Sequence, residues 1–233
     1  MKRPNPLCMA LALLAGAVAS AGCGSEPPAA TPAVPLAREP VPVPDARGPR
    51  PVVEMEVEGF GGVTIELFAD IAPKTVENFL KLAEEDFYVG TTFHRVIPQF
   101  AIQGGDPLTK DRDPRNDGKG GPGYVVEDEY TPIAHRRGIV SMANKGHPKT
   151  AGSQFFVVVK DQPNLDGKYT VFGRVVEGMD VVDRISETPR DVYGRYGPPD
   201  RPRDDVVIAG IQKKSDRSAA LAQREDALDE GNP

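Results

Sequence analysis

The chain of 233 residues contains no tryptophan, three histidines and two cysteines. The histidines, His94, His135 and His147, lie at spacings that match no zinc motif, and no cysteine pair accompanies them. Neither a G-x-S-x-G nucleophile motif nor a P-loop occurs. The net charge of −6 gives no support to a nucleic-acid partner. Zinc, serine-hydrolase and nucleotide sites therefore lack a sequence signature, and we expect no metal and no cofactor.

Long apolar runs are also absent, apart from one near the N-terminus. Lys2 and Arg3 precede an apolar run over 7–18, L-C-M-A-L-A-L-L-A-G-A-V. The run is too short to span a bilayer and is typical of a signal-peptide core. We therefore predict a signal peptide over 1–22 and an exported protein.

The cysteine count favours one of two cleavage sites. A-S-A at 19–21 fits ordinary secretory cleavage, whereas S-A-G-C at 20–23 resembles a bacterial lipobox, although Ser20 departs from its usual branched aliphatic residue. Cys8 would leave with the signal, so Cys23 could form no internal disulfide. A lone cysteine at the new N-terminus suits lipidation, so we expect a membrane anchor at Cys23. The alternative is a free thiol on a soluble periplasmic or secreted protein.

A proline-rich segment follows over 23–51. It contains nine prolines, all between Pro27 and Pro51. Proline at this density favours extended polyproline II, which rises about 3.1 Å per residue. We expect a linker that holds a domain away from a surface, with a docking motif for proline-binding modules as the alternative.

The pattern from residue 52 onward predicts a mainly β domain over 52–212. Two alternating runs, V-V-E-M-E-V-E and V-T-I-E-L-F, flank a glycine-rich turn and predict a hairpin. Apolar residues at helical spacing predict one helix over 72–85 and a second over 179–185. Further strands are predicted over 92–97, 99–103, 138–143, 154–159, 170–176 and 205–212. Many short strands with two helices indicate a closed antiparallel barrel capped by helices. The polar tail 213–233 is expected to be frayed.

Two polar stretches rich in glycine and proline, 107–123 and 186–204, predict loops. The first contains G-K-G-G-P-G, which does not lie between a strand and a helix, so unusual backbone angles explain it better than phosphate binding. His135 and His147 lie among polar residues, and we expect both at the surface.

One stretch, F-H-R-V-I-P-Q-F-A-I-Q-G-G-D at 93–106, places Arg95, Phe100 and Gln103 among apolar residues. In an uninterrupted strand, Phe100 and Gln103 would lie on opposite faces, so alternation alone does not put them in one site unless a bulge intervenes. Taken singly, the arginine would be solvated or ion-paired and the phenylalanine would belong to the core.

This stretch has companions later in the chain. G-I-V-S-M-A-N-K-G, G-S-Q-F-F-V-V-V and L-D-G-K-Y-T-V-F-G-R-V-V-E-G-M-D-V-V-D-R-I follow it in order. Together the four motifs closely resemble the cyclophilin family of peptidyl-prolyl isomerases, over residues 53–212. The resemblance implies a closed eight-stranded antiparallel β-barrel with two capping α-helices, and rotation of X-Pro bonds in proline-containing polypeptides without a cofactor.

The resemblance also implies roles for ten residues. Three are expected to be catalytic: Arg95, Gln103 and Asn144. Seven more are expected to bind the substrate: Phe100, Ala101, Ala143, Gln154, Phe156, Leu165 and Tyr169. A twisted X-Pro amide localises a lone pair on the prolyl nitrogen, and an arginine donor there stabilises the twisted state more than either planar one.

Three positions depart from the family pattern. Ala101 stands where methionine is common, so the pocket is expected to be wider or shallower. Asn164 stands where many members have tryptophan, which predicts weak inhibition by the family's cyclic-peptide inhibitor. Tyr169 replaces a histidine found in many members. The loops 107–118 and 145–149 are longer than usual and are expected to alter the groove rim.

Two functional classes remain after these departures. The first is an exported, lipid-anchored, monomeric isomerase at the periplasmic or outer surface, which assists the folding of envelope or secreted proteins. The second is a non-catalytic proline-peptide binding module or holdase chaperone. A structural envelope protein that uses only its spacer is a weaker third, because the site residues would then have no use.

Overall fold

Ten strands and two helices lie within the part of the chain that the computed structural model describes, residues 41–111, 113–144, 146 and 149–214. The helices are α1, Pro73–Glu84, and α2, Met179–Ser186. The strands are β1 Val52–Val57, β2 Gly61–Leu67, β3 Arg95–Ile97, β4 Ala101–Gly104, β5 Ile139–Met142, β6 Phe155–Val158, β7 Val171–Glu177, β8 Arg190–Asp191, β9 Arg201–Pro202 and β10 Ile208–Lys214. Short 3-10 turns lie at Pro107–Lys110, Pro114–Asn116 and Pro163–Leu165.

Eight of these strands form one curled antiparallel sheet in the order β10-β1-β2-β7-β5-β6-β4-β3. Its two outer strands, β10 and β3, do not pair with each other within the described residues, so the predicted closed barrel is wrong and the sheet is open. The gap between them is bridged outside the ladder. Residues 90–93 exchange backbone hydrogen bonds with residues 206–208, where Thr92 and Val207 form an isolated antiparallel bridge.

Alternation explains the first hairpin. In β1, Val53, Met55 and Val57 are fully buried, while the glutamates between them face outward. Helix α1 begins at Pro73, whose fixed φ suits a first turn. It buries the apolar stripe Val76, Phe79, Leu82 and Ala83.

The buried apolar residues form two clusters. The larger one contains residues of both helices and of all eight strands of the curled sheet. The smaller one contains Phe68, Ala101, Ile133, Ile139, Phe156, Val158, Leu165 and Val171. Partly buried Phe100, Ala143 and Tyr169 pack against the smaller cluster. It therefore forms the floor on which the predicted site residues lie.

The last part of the predicted linker lies against the domain. Val41 forms backbone hydrogen bonds with Pro132 and Ala134. The Arg50 guanidinium pairs with Asp70 at 2.8 Å and lies 4.7 Å over the ring of Phe68. Residues 41–51 are thus held on the domain rather than extended away from it.

Several predictions lie outside the described residues: the signal peptide 1–22, the lipidation of Cys23, linker residues 23–40 and tail residues 215–233. His147 lies there as well. In the part of the chain that is described, no helix has the length and apolar character needed to cross a bilayer.

Candidate active site

Strands β3 and β4 form the first wall of the site. They pair antiparallel, so that Arg95 lies opposite Gln103 and Ile97 lies opposite Ala101. Cross-strand partners project to the same face of a sheet. The arginine and the glutamine of the stretch 93–106 therefore share one face.

The turn between these strands explains how Phe100 joins them. The predicted strand 99–103 begins only at Ala101, and Gln99 has a left-handed φ of 59°. Phe100 thus belongs to the turn and does not follow the alternation of β4. Within the strand, Ala101 and Gln103 face the site, while Ile102 lies fully buried in the larger core cluster.

The second wall comes from β5 and β6. Phe156 in β6 lies opposite Gln103 on one side and Ser141 on the other. Beyond β5, the backbone N–H of Ala143 donates to the carbonyl of Gln154 at 2.9 Å. This bond extends the strand pairing and carries Asn144 to the edge of the same face.

These walls enclose a cavity of about 170 Å³. Nine residues line it: Arg95, Phe100, Ala101, Gln103, Ala143, Asn144, Phe156, Leu165 and Tyr169. All nine are among the ten predicted site residues. The tenth, Gln154, lies behind Gln103 rather than on the cavity. Asn164, next to Leu165, is exposed and does not line the cavity.

One charged side chain faces the apolar residues of the cavity. The Arg95 guanidinium carbon lies 5.9 Å from the Phe100 ring centroid. No ion pair involves Arg95 within the described residues. Its donors are therefore available at the mouth of the cavity, since arginine stays protonated and offers several fixed N–H groups.

The polar residues beside Arg95 are held by hydrogen bonds of their own. Gln103 Nε2 donates to Gln154 Oε1 at 2.9 Å, and Gln154 Nε2 donates to the Gly120 carbonyl at 3.0 Å. Asn144 Nδ2 donates to the Lys168 carbonyl at 3.2 Å. The site can therefore present amide donors and acceptors to a polypeptide backbone.

The aromatic wall has a buried support. Tyr169 meets Phe156 edge-on, with ring centroids 5.2 Å apart. The imidazole of His135 also stacks on Phe156, at 6.0 Å with the rings 15° apart. The expectation that His135 lies at the surface is therefore wrong: it is buried because its side chain points inward from a polar segment.

A second hollow of about 370 Å³ lies beside the first cavity. Gln103, Ala143 and Asn144 line both, and Gln154 lines the second. Its outer wall is the glycine-rich stretch 118–123, with left-handed φ values at Gly118 and Gly123. Alternation and helical periodicity carry no signal for this wall, because it consists of irregular backbone.

The comparison with protein families is decisive. A model described as cyclophilin type peptidyl-prolyl cis-trans isomerase/CLD matches residues 52–213. The chain belongs to this family. It is thus an enzyme of the rotamase class, a peptidyl-prolyl cis-trans isomerase, and its fold is the open, curled eight-stranded sheet with two helices described above.

Individual relatives agree with the family. A peptidyl-prolyl cis-trans isomerase-like 3 protein of Gallus gallus is 47% identical over 158 residues, which cover 65% of this chain and 89% of the relative. A crystal structure of a cyclophilin-type isomerase of Cryptosporidium parvum is similar with a TM-score of 0.64 and 35% identity, covering 72% of this chain and 99% of that one. A second structure of that protein, in the presence of the dipeptide Ala-Pro, has a TM-score of 0.62 and 34% identity over 71% and 99% of the two chains.

Proposed function

We propose that this chain accelerates rotation about X-Pro bonds by placing the Arg95 guanidinium at the prolyl nitrogen of a substrate held in the 170 Å³ cavity. The observation that carries the proposal is an arginine beside an apolar pocket, with no ion pair to it among the described residues. The relative solved in the presence of Ala-Pro supports a proline-containing polypeptide as the substrate.

The chemistry requires little more than placement. An amide has a rotation barrier of about 18–20 kcal/mol, because the C–N bond has partial double-bond character. Twisting the bond localises a lone pair on the nitrogen, and a donor directed there binds the twisted state more tightly than either planar state. A hundred-thousand-fold acceleration requires about 7 kcal/mol of such differential stabilisation.

The remaining residues hold either the prolyl ring or the substrate backbone. Phe100, Phe156 and Leu165 provide apolar surface for the prolyl ring and exclude water, which strengthens the interaction with Arg95. Gln103 and Asn144 provide amide groups for the backbone on either side of the proline. In this mechanism no nucleophile is consumed and no covalent bond forms.

The test replaces Arg95 with alanine and with lysine. We expect R95A to lose at least about a hundredfold in kcat/KM, measured by a proline-limited refolding reaction and by a proline-peptide assay, because about 3 kcal/mol of transition-state stabilisation is removed. R95K should retain a small part of the activity, since lysine keeps the charge but not the fork of donors. Because this chain has no tryptophan, a tryptophan-containing client can be followed by fluorescence.

A control and a binding measurement separate catalysis from mere binding. Arg203 is exposed and lies outside the cavity lining, so R203A should refold the client as fast as the unaltered chain. R95A should still bind a proline peptide within about fivefold. If R95A catalyses refolding as fast as the unaltered chain, the proposed mechanism is wrong and a non-catalytic binding module or holdase is the better description.

We further propose that the protein is exported and anchored through Cys23, and that it acts as a monomer on envelope or secreted clients. Support comes from the basic residues Lys2 and Arg3, the short apolar run 7–18 and the lone cysteine before a proline-rich segment. In cells, C23S should prevent lipid attachment and move the protein from the membrane to the soluble fraction. Unchanged processing and membrane partition in C23S would refute the anchor.

A further inference from the structure

His135, Ser141 and Asp166 form a hydrogen-bonded triplet beside the candidate active site, in which His135 and Ser141 are buried and Asp166 is half-buried. Asp166 Oδ1 lies 3.0 Å from His135 Nδ1 and also accepts from the His135 backbone N–H at 2.6 Å. On the other side of the ring, Nε2 lies 3.1 Å from Ser141 Oγ. His135 and Ser141 are 1% and 0% exposed. These contacts leave the imidazole no freedom to rotate.

The contacts assign the tautomer. Asp166 Oδ1 already accepts from the His135 backbone N–H, so in the second hydrogen bond His135 Nδ1 is the donor and carries the proton. Nε2 then has a free lone pair, and the Ser141 hydroxyl donates to it. Burial lowers the pKa of His135, although Asp166 opposes this shift, so the ring is neutral at pH 7.

The arrangement has the order of a Ser-His-Asp triad, but it cannot act as one. A triad serine must reach a substrate carbonyl from an accessible position. Ser141 is fully buried within β5, and it is absent from the lining of the cavity. Its hydroxyl therefore holds a neighbour rather than attacks a substrate.

The hydrogen bonds of His135, Ser141 and Asp166 join the segments that contain the cavity residues. Ser141 lies just before Ala143 and Asn144, and Asp166 directly follows Leu165. Between them, the His135 ring stacks at 6.0 Å on Phe156. It also contacts Tyr169 edge-on at 6.3 Å. One buried imidazole thus contacts both rings of the aromatic wall and is hydrogen-bonded to the two segments beside it.

We infer that His135 is a positioning residue for X-Pro rotation, which fixes Phe156 and Leu165 at the separation that the prolyl ring requires through its hydrogen bonds to Asp166 and Ser141. This inference rests on the proposed function. A small displacement of a group that orients the substrate reduces turnover strongly, even when binding survives. The expected signature is therefore a loss in kcat rather than in substrate affinity.

The main variant is H135F, which keeps a flat ring against Phe156 and removes both hydrogen bonds. We expect kcat per folded molecule to fall about tenfold, with peptide affinity changed by less than about threefold. The control is I65A, a large-to-small change at a fully buried residue of the other core cluster, assayed where both variants are folded. I65A should lower Tm but leave kcat and KM at the values of the unaltered chain.

A conservative pair tests the hydrogen bonds separately and replaces H135F if that variant does not fold. D166N keeps an oxygen that accepts from Nδ1–H and should remain within about threefold of the unaltered kcat. D166L keeps the size without the acceptor and should resemble H135F. Equal kcat values for H135F, D166L and the unaltered protein would overturn the inference. The hydrogen bonds of His135 would then serve stability alone.

A spectroscopic readout separates this inference from the proposed function. The imidazole ¹⁵N shifts of His135 should report the neutral Nδ1–H tautomer at pH 7, and the Phe156 ring signals should move on addition of an Ala-Pro peptide. In S141A, which removes the hydrogen bond to His135 Nε2, the Phe156 ring signals should shift further on peptide addition or become broader. The Nε2–H tautomer, or identical shifts in S141A, would overturn the positioning role. Absence of isomerase activity in the unaltered chain would instead refute the proposed function and leave this readout intact.

Discussion

The side-chain amide of Gln103 donates from Nε2 to the Oε1 atom of Gln154 over 2.9 Å. The orientation of Gln154 is itself fixed, because its Nε2 donates to the carbonyl of Gly120. Gln103 lines the cavity, and with Nε2 bonded to Gln154 its Oε1 remains to accept from a substrate N–H. A glutamine outside the cavity thus decides which atom of Gln103 faces the substrate.

Replacing Gln154 tests whether it orients Gln103. Q154M removes the acceptor while keeping a flexible side chain of similar length, so the Gln103 amide becomes free to flip. We expect KM for a proline peptide to rise roughly fivefold, equivalent to about 1 kcal/mol for one hydrogen bond, with a smaller change in kcat. The same substitution at exposed Gln212 in β10 is the control and should change neither constant. An unchanged KM in Q154M would show that Gln103 needs no orientation.

Much of this architecture is predictable from local pattern, because one face of each element lies on the core. Val53, Met55 and Val57 alternate with glutamates and predict β1 within one residue. The stripe that includes Val76 and Phe79 predicts α1. Closure of the barrel is not predictable in this way. It depends on whether β3 and β10 pair, and local pattern carries no signal for a contact between strands so far apart along the chain.

The candidate site, too, is only partly predictable from local pattern. Alternation correctly relates Ala101 to Gln103, but it separates Phe100 from both, because no local rule indicates the left-handed φ of Gln99. The motif resemblance supplies what alternation lacks. His135 is missed for another reason: its neighbours are polar, and its partner Asp166 lies 31 residues further along the chain.

As the pH falls below 7, the domain should first lose stability because its buried histidines resist protonation. Burial lowers the pKa of His94 from 6.5 to about 4. The unfolded chain therefore binds a proton below pH 6.5 that the folded domain does not accept until about pH 4, so stability is lost as the pH falls between these values. His94 alone accounts for about 3 kcal/mol over the window, and His135, whose pKa burial also lowers, adds to it.

The measurement is urea unfolding at several pH values between 7 and 4. H94Q should lower the slope of the unfolding free energy against pH by about one proton, or about 1.4 kcal/mol per pH unit. An identical slope in H94Q would mean that the pKa of His94 is the same in the folded domain as in the unfolded chain, and that burial does not lower it.

At lower pH, a second loss of stability is expected from the ion pair that holds residues 41–51 on the domain. The hydrogen bond from Arg50 is the main cause that lowers the pKa of Asp70 from 3.8 to about 2, against its burial. The folded carboxylate thus stays ionised while the unfolded one gains a proton, and about 2 kcal/mol of stability is lost as the pH falls from 3.8 to 2.

R50M tests this pair by leaving Asp70 buried and unpaired. At pH 7 we expect the free energy of unfolding to fall by about 3 kcal/mol, and the difference from the unaltered chain to shrink near pH 2. R115M is the matched control, because Arg115 pairs with Asp113 at the exposed surface and should change stability by no measurable amount. Equal stability of R50M and the unaltered chain at pH 7 would contradict the assignment.

Ala101 should determine how tightly the pocket holds the prolyl ring. It lines the 170 Å³ cavity and packs in the cluster that contains Phe156 and Leu165. Methionine is common at this position in the family, and A101M adds apolar atoms that the cavity can accommodate. At about 0.8 kcal/mol per buried methylene, a net gain of about 1 kcal/mol is expected after partial ordering of the side chain, which lowers KM roughly fivefold. A209M, at an exposed position of β10, should leave KM unchanged. A rise in KM for A101M would mean that the cavity is already filled by the prolyl ring, and that Ala101 is the size the pocket requires.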